Sequence, residues 1–295
     1  MKTKGKIFVA FILNLLFSVL EVIGGIITGS VAITSDAIHD FGDATSIGIA
    51  YFLERASDKK PNEKYTFGYA RFSVLGGLIT TLILLISSVT VVYSAVLRII
   101  TPTIIDYNGM LIFALVGLVV NLAATYFTHG GKSVNQKAVN LHMLEDVLGW
   151  VVVLIGAIVI KFTNCYVIDP ILSIVVAVFM IFNAVKNLKQ ILQIFLIRTP
   201  KNIDVNQTLE HVKCIEGVED AHHLHVWSLD GEIILATLHV VVKEWDSRIK
   251  AKIKEELKEH GISHVTIEME SCLEDCKEQS CLIKSQTSNH CNHHH

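Results

Sequence analysis

Two histidine–aspartate pairs could do chemistry: His39 with Asp43, and His142 with Asp146, each separated by three residues. On an α-helix, positions four apart lie one turn above each other on nearly the same face. Each pair therefore offers an imidazole and a carboxylate side by side. Two such helices facing each other would present two nitrogens and two oxygens around one point, a four-coordinate set that suits Zn²⁺. Calcium or magnesium would call for an all-oxygen cage with more ligands. The alternative is that the pairs merely join helices by hydrogen bonds or ion pairs. Recurrence of the spacing on two separate segments argues against it. Neither segment carries a lysine or arginine near its middle, so a dication or protons must neutralise Asp43 and Asp146.

The segments that hold these pairs are strongly apolar. The chain has 295 residues, 51% hydrophobic and only 18% charged, with a mean hydropathy of +0.49. Soluble domains carry about 25% charge, so an ordinary soluble globule is excluded. A net charge of −3 gives no basic field for nucleic acid. The apolar residues fill the first two-thirds of the chain in blocks. A spanning helix needs about 20 of them, and six transmembrane helices are expected over 7–28, 31–53, 72–97, 110–128, 139–161 and 168–188. The first is followed at once by the second with no small-residue cleavage site, unlike a signal peptide.

Basic residues set the expected orientation. Lys2, Lys4 and Lys6 precede the first span. Arg55, Lys59, Lys60, Lys64 and Arg71 fill the second loop, Lys132 and Lys137 the fourth, and Lys186, Lys189, Arg198 and Lys201 the exit of the last. Only Arg98 and Lys161 stand near span ends on the other side. The positive-inside rule then places both termini in the cytoplasm.

Other ionisable groups also fall within the spans. Asp36, Asp40 and Glu145 flank the paired ligands without a repeated spacing and are assigned to the access path or to support around the site. Asn14, Glu21 and Asn121 are expected to fix helix contacts. After residue 199 the character changes. A helix over 205–212, strands over 221–229 and 233–242, a charged helix over 246–260 and a strand over 264–270 are expected. This αββαβ order suits a small cytoplasmic α+β domain of ferredoxin or metallochaperone-like shape. The expected domains are therefore 1–199, 200–271 and a polar, flexible Cys/His-containing tail over 272–295.

Several motifs give the chain a family resemblance. Residues 30–43 (SVAITSDAIHDFGD), 67–78 (FGYARFSVLGGL), 141–149 (LHMLEDVLG), 169–173 (DPILS) and 225–228 (HVWS) resemble the cation diffusion facilitator family of zinc transporters, in order and from about residue 7 to 271. The resemblance implies a homodimer in the lipid bilayer, with six spans per protomer and a cytoplasmic ferredoxin-like domain. It implies export of Zn²⁺ from the cytosol, usually in exchange for H⁺, through a site at His39, Asp43, His142 and Asp146. Family members with aspartate in the first histidine's place tend to accept cadmium or manganese more readily, so His39 marks the zinc-selective form. Eukaryotic members often have a histidine-rich loop between spans four and five; here that loop holds only His129. This favours a bacterial plasma (inner) membrane over an internal eukaryotic one.

Eleven of the fourteen histidines follow residue 200. From the resemblance, His225, His239, His264 and Glu270 are carried over as a cytoplasmic regulatory Zn²⁺ site. On a regular strand, His223 and His225 would share one face. His211, His222 and His260 are expected to be ordinary surface histidines. Cys272, Cys276 and Cys281 form a loose tail cluster, echoing a cysteine site at the end of some relatives; they lack the CxxC spacing of a zinc ribbon. Cys165 stands alone on the far side, and a reducing cytosol argues against a disulfide framework. The last histidines, 293–295, read as a tag remnant and are set aside.

The rivals are an exporter of Mn, Co, Fe or Cd, a non-transporting metal sensor, and an intramembrane metalloprotease. A protease would need two zinc-binding histidines on one helix with a general base. The run from His142 to Asp146 has only one, so an enzyme is excluded in favour of a metal cation:proton antiporter.

Overall fold

The computed structural model describes residues 3–28, 31–101, 107–130, 133–163 and 168–271. The first unit comprises Met1–Leu196 with the short stretch Leu229–Glu232, and six helices make up its main part: α1 (Thr3–Thr28), α2 (Val31–Ser57), α3 (Arg71–Ile100), α4 (Tyr107–Thr128), α5 (Val134–Thr163) and α6 (Ile168–Phe195). Long apolar runs become helices because a lipid-exposed backbone must satisfy its own hydrogen bonds. At a rise of about 1.5 Å per residue, each exceeds the hydrocarbon core of a bilayer. Lys4–Ile23, Arg71–Ile100, Val134–Gly156 and Pro170–Phe195 are apolar and long enough to cross it. The other two differ for separate reasons. In α4 the described apolar stretch is the shorter Leu115–Thr128. In α2, Asp36, Asp40, Asp43 and Glu54 dilute the hydropathy.

The packing converges on α5, which meets each of the other five helices. On one side, Val139 and Met143 of α5 pack with Ile7 and Ala10 of α1, Ile47 and Ala50 of α2, and Ala124 of α4. On the other, Leu141 and Leu148 lie against Leu84 of α3 and Met180 and Ala184 of α6. The outward faces stay apolar: Ile26, Ile86, Val119, Tyr126 and Phe182 are exposed, as a surface meeting lipid tails requires.

A buried polar knot ties α2, α3 and α5 together. Asn135 donates to Glu54 Oε2 at 2.8 Å and to the Ala50 carbonyl at 3.0 Å. Ser73 Oγ donates to the same Glu54 oxygen at 2.6 Å. The approach is close because α3 has glycine here. A Cβ on Gly77 would stand 3.1 Å from the Asn135 backbone, so a larger residue would push α3 from α5.

The second unit begins at Ile197 and holds α7 (Val205–Lys213), β1 (Val218–Ser228), β2 (Ile234–Val242), α8 (Ser247–Glu259) and β3 (His264–Ser271). Both helices start on aspartate caps. Asp204 accepts from the Asn206 and Gln207 amides, and Asp246 accepts from the Arg248 amide, satisfying N–H groups that the first turn leaves unpaired. The sheet order is β1-β2-β3, with β1 antiparallel and β3 parallel to the central β2. Ala236, Leu238, Val240 and Val242 of β2 turn one face to a core shared with Val212 of α7 and with Ile253 and Leu257 of α8. Thr237, His239 and Val241 alternate onto the other face.

Candidate metal centres

In the membrane unit, Asp43, His142 and Asp146 each offer one ligand atom, all within 4.8 Å of one another. The second and third come from successive turns of α5 and the first from α2. His142 Nε2 stands 3.4 Å from Asp43 Oδ1. His142 is fully buried and Asp43 nearly so, yet neither imidazole nitrogen makes a hydrogen bond among the described residues. Buried ring nitrogens without a hydrogen bond are unusual, and the two adjacent carboxylates supply negative charge and oxygen donors that a metal ion could share with the imidazole. His39 lies on α2 one turn before Asp43; its side chain, like that of Asp36, lies outside the described residues.

Glu145 supports the arrangement from the side. Its Oε1 accepts from Ser88 Oγ of α3 at 2.7 Å, and its Oε2 lies 4.0 Å from His142 Nδ1. Ser88 had no chemical signal in the sequence; only the α3–α5 packing shows what it does. Asn14, Glu21 and Asn121 are all buried in the bundle, and Asn121 donates back to the Gly117 carbonyl of its own helix.

A second cluster lies on the open face of the sheet. His222, His223 and His239 bring one nitrogen each within 4.8 Å, with ring centroids 4.9 to 5.6 Å apart. The cause is a bulge in β1. His222 pairs with His239 and His225 with Thr237, so two residues, His223 and Leu224, oppose Leu238. Leu224 takes the core position. His223 adopts a positive φ of 53°, a conformation histidine tolerates better than most residues, and its ring joins His222 on the open face. Glu270 closes the group: its Oε1 lies 2.6 Å from His239 Nδ1 and its Oε2 3.4 Å from His222 Nε2. Both nitrogens of His222 and Nε2 of His223 are buried without a hydrogen bond.

The grouping differs from the expected one at four residues, two that leave it and two that join it. His225 is exposed and supplies no atom to the cluster. His264 shares the open face but lies six residues from Glu270 along β3, about 20 Å at strand rise. His222, expected to be an ordinary surface histidine, is a member through its register opposite His239, and His223 joins it through the bulge, which regular alternation cannot reveal. Cys272, Cys276 and Cys281 lie outside the described residues.

A helical bundle with a buried two-carboxylate, one-imidazole centre, followed by a small sheet domain carrying its own histidine cluster, defines a membrane transporter of metal cations rather than an enzyme. The comparisons agree. Residues 7–196 match the cation efflux transmembrane domain, and residues 200–272 match the cation efflux protein cytoplasmic domain. The chain belongs to the cation diffusion facilitator (cation efflux) family. It is 32% identical to a cadmium, cobalt and zinc/H⁺-K⁺ antiporter of Bacillus velezensis, over 99% of this chain and 96% of the relative. It is 35% identical to the zinc transporter ZitB of Yersinia pseudotuberculosis, over 98% and 95% of the two chains. It is 31% identical to the metal cation efflux system protein CzcD of Cupriavidus metallidurans, over 89% and 85%.

Proposed function

We propose that this protein exports Zn²⁺ from the cytosol of a bacterial cell in exchange for H⁺, working as a homodimer in the plasma membrane with both termini cytoplasmic. The observation that carries the proposal is the close group of Asp43, His142 and Asp146; His39, four residues before Asp43 in the sequence, is the fourth ligand that the repeated spacing supplies. A borderline ion such as Zn²⁺ accepts two nitrogens and two oxygens in a tetrahedral set. Binding requires neutral imidazoles and ionised carboxylates, so metal and protons compete for the same atoms. In alternating access, zinc entering from the cytoplasm displaces protons from His39 and His142. After the helices rock, protons from the far side reoccupy the ligands and release the ion. Histidine suits this exchange because its ordinary pKa, about 6.5, lies near working pH. The Bacillus and Yersinia relatives, a cadmium, cobalt and zinc/H⁺-K⁺ antiporter and a zinc transporter, support both the ion and the coupling.

His222, His223, His239 and Glu270 make a cytoplasmic Zn²⁺ site of regulatory kind, and the dimeric state draws support from the cytoplasmic-domain match. Zinc bound there would favour one arrangement of the paired soluble domains and thereby tune transport. The cadmium and cobalt in the Bacillus relative's name favour a second reading, an exporter of wider range; affinity order alone does not separate these ions.

The test is zinc uptake into oriented proteoliposomes, cytoplasmic face outward and interior acidic, comparing wild type with Asp43→Ala. Gradient-driven uptake lost in the variant is expected. Equal uptake in both would overturn the site, and zinc binding without gradient-dependent uptake in the wild type would point to a sensor. Competition by Co²⁺ and Cd²⁺ in the same vesicles separates the narrow exporter from the wide one.

A further inference from the structure

A third group of ligand-bearing side chains lies on the helical layer of the second unit and takes no part in the centres above. His211 is in the last turn of α7, Glu256 in the last two turns of α8, and His260 is the C-cap of α8. His211 Nδ1 lies 3.1 Å from Glu256 Oε1 and 3.0 Å from His260 Nε2. His260 Nε2 lies 3.4 Å from the same Glu256 oxygen. Two nitrogens and one oxygen thus form a nearly equilateral triangle.

That triangle has the dimensions of one face of a zinc tetrahedron. With metal–ligand bonds of about 2.0–2.1 Å, tetrahedral geometry separates donor atoms by about 3.3 Å. The three atoms therefore need to move by only a few tenths of an ångström to share an ion. Glu256 and His260 are four apart on one helix, the same spacing that pairs imidazole and carboxylate within the membrane. Both histidines also stand at helix C-terminal ends, where the backbone carbonyls present partial negative charge that favours a cation. The side chains are partly exposed, so an ion can reach them and a fourth position is open to water.

We propose that His211, Glu256 and His260 form a separate binding site for a borderline divalent ion of the Zn²⁺ class, clamping the C-terminal ends of α7 and α8. It lies on the helical layer, whereas the His222–His223–His239 cluster occupies the sheet's other face. It needs none of the transport-site residues. An ion here would replace the histidine–histidine hydrogen bond with coordination and tie two helices that otherwise meet through few residues. The soluble unit would then sense zinc through two surfaces.

The test uses the full-length protein in lipid nanodiscs, with zinc alone as ligand. Amide exchange and zinc stoichiometry are measured for wild type, His211→Ala, His260→Gln and Glu256→Gln. Zinc should slow exchange at the C-terminal turns of α7 and α8 in the wild type. The variants should lose that protection and one retained zinc per protomer, or bind it more than about tenfold less tightly. Zinc-induced protection of β1 and β2, near the sheet cluster, should persist. Unchanged protection and stoichiometry in the variants would overturn the proposal. Glu256→Gln keeps the size and hydrogen bonding of the side chain, so it decides the matter if a histidine variant loosens the helices.

Discussion

The intramembrane centre and the sheet cluster are built from the same donors by opposite means. In the membrane, ligands four residues apart on α5 are placed by the helix itself, and α2 has only to lie against it. On the sheet, no two ligands are set by simple spacing: His222 and His239 meet through strand register, and His223 arrives through a bulge. Surroundings differ too. His142 is fully buried in the bundle, whereas His239 is partly exposed. An ion in the bundle would offset the cost of holding carboxylates away from water, while an ion on the sheet competes with water. The first arrangement fits the transport role proposed for it, and the second fits the proposed regulatory role.

The largest effect should follow from breaking the intramembrane set. Asp146→Ala removes a carboxylate next to His142 and should reduce proteoliposome zinc transport to the background of empty vesicles. Zinc bound by the soluble unit should stay unchanged, as read by Zn²⁺-induced exchange protection of β1 and β2. If Asp146→Ala transports at more than about a tenth of the wild-type rate, the two centres differ less than their burial indicates.

A smaller change is expected from His239→Ala. The sheet cluster loses the ring that touches Glu270 and both other histidines, so zinc affinity there should fall about tenfold or more. Transport should continue, with its zinc dependence shifted to higher concentration. Complete loss of transport at saturating zinc would mean that the sheet cluster belongs to the transport path, and the comparison would collapse.

How much of this was legible in the sequence follows from the same contrast. The His39–Asp43 and His142–Asp146 pairs stood out because helical spacing is local and needs no knowledge of the fold. The αββαβ order could be read from alternating apolar residues and from the charged helix after Asp246. His223 was not legible as a partner of His222, because regular strand alternation puts adjacent side chains on opposite faces. His225 drew attention through its place in the HVWS motif, yet it pairs with Thr237 and stays outside the cluster. His211 and His260 are 49 residues apart, and only the packing of α7 beside α8 brings them together. Ser88 is one hydroxyl among several on α3, and its tie to Glu145 depends on the rotation of two helices.

Weakening a helix of the soluble unit sharpens the comparison without touching a ligand. Asp204 caps α7 by accepting two backbone N–H groups. Replacing it with alanine should cost about 1 kcal/mol of local stability. Exchange in the first turn of α7 should quicken several-fold, with α2 and α5 unchanged and the transport rate of wild type retained. Faster exchange in α5 would show that the two units are energetically joined.

The smallest expected effect is a pH dependence confined to α8. The Arg248 backbone N–H, followed by the Arg248 side chain, holds the Asp246 carboxyl below its ordinary value of 3.8. A carboxyl whose folded pKa is depressed contributes stability that is fully present above the unfolded pKa. That contribution is lost as pH falls through the folded value. The cap therefore stays charged throughout the range in which an ordinary histidine titrates, and it weakens only below the ordinary carboxylate range. Asp246→Asn keeps a capping oxygen but removes the charge. It should leave transport and its pH profile between about 5.5 and 7.5, the range in which histidine titrates, identical to wild type. In the isolated acid limit, the wild-type advantage in α8 exchange protection should disappear. A shifted transport profile in Asp246→Asn would break the separation between a membrane centre that answers to protons and a soluble unit that answers to metal.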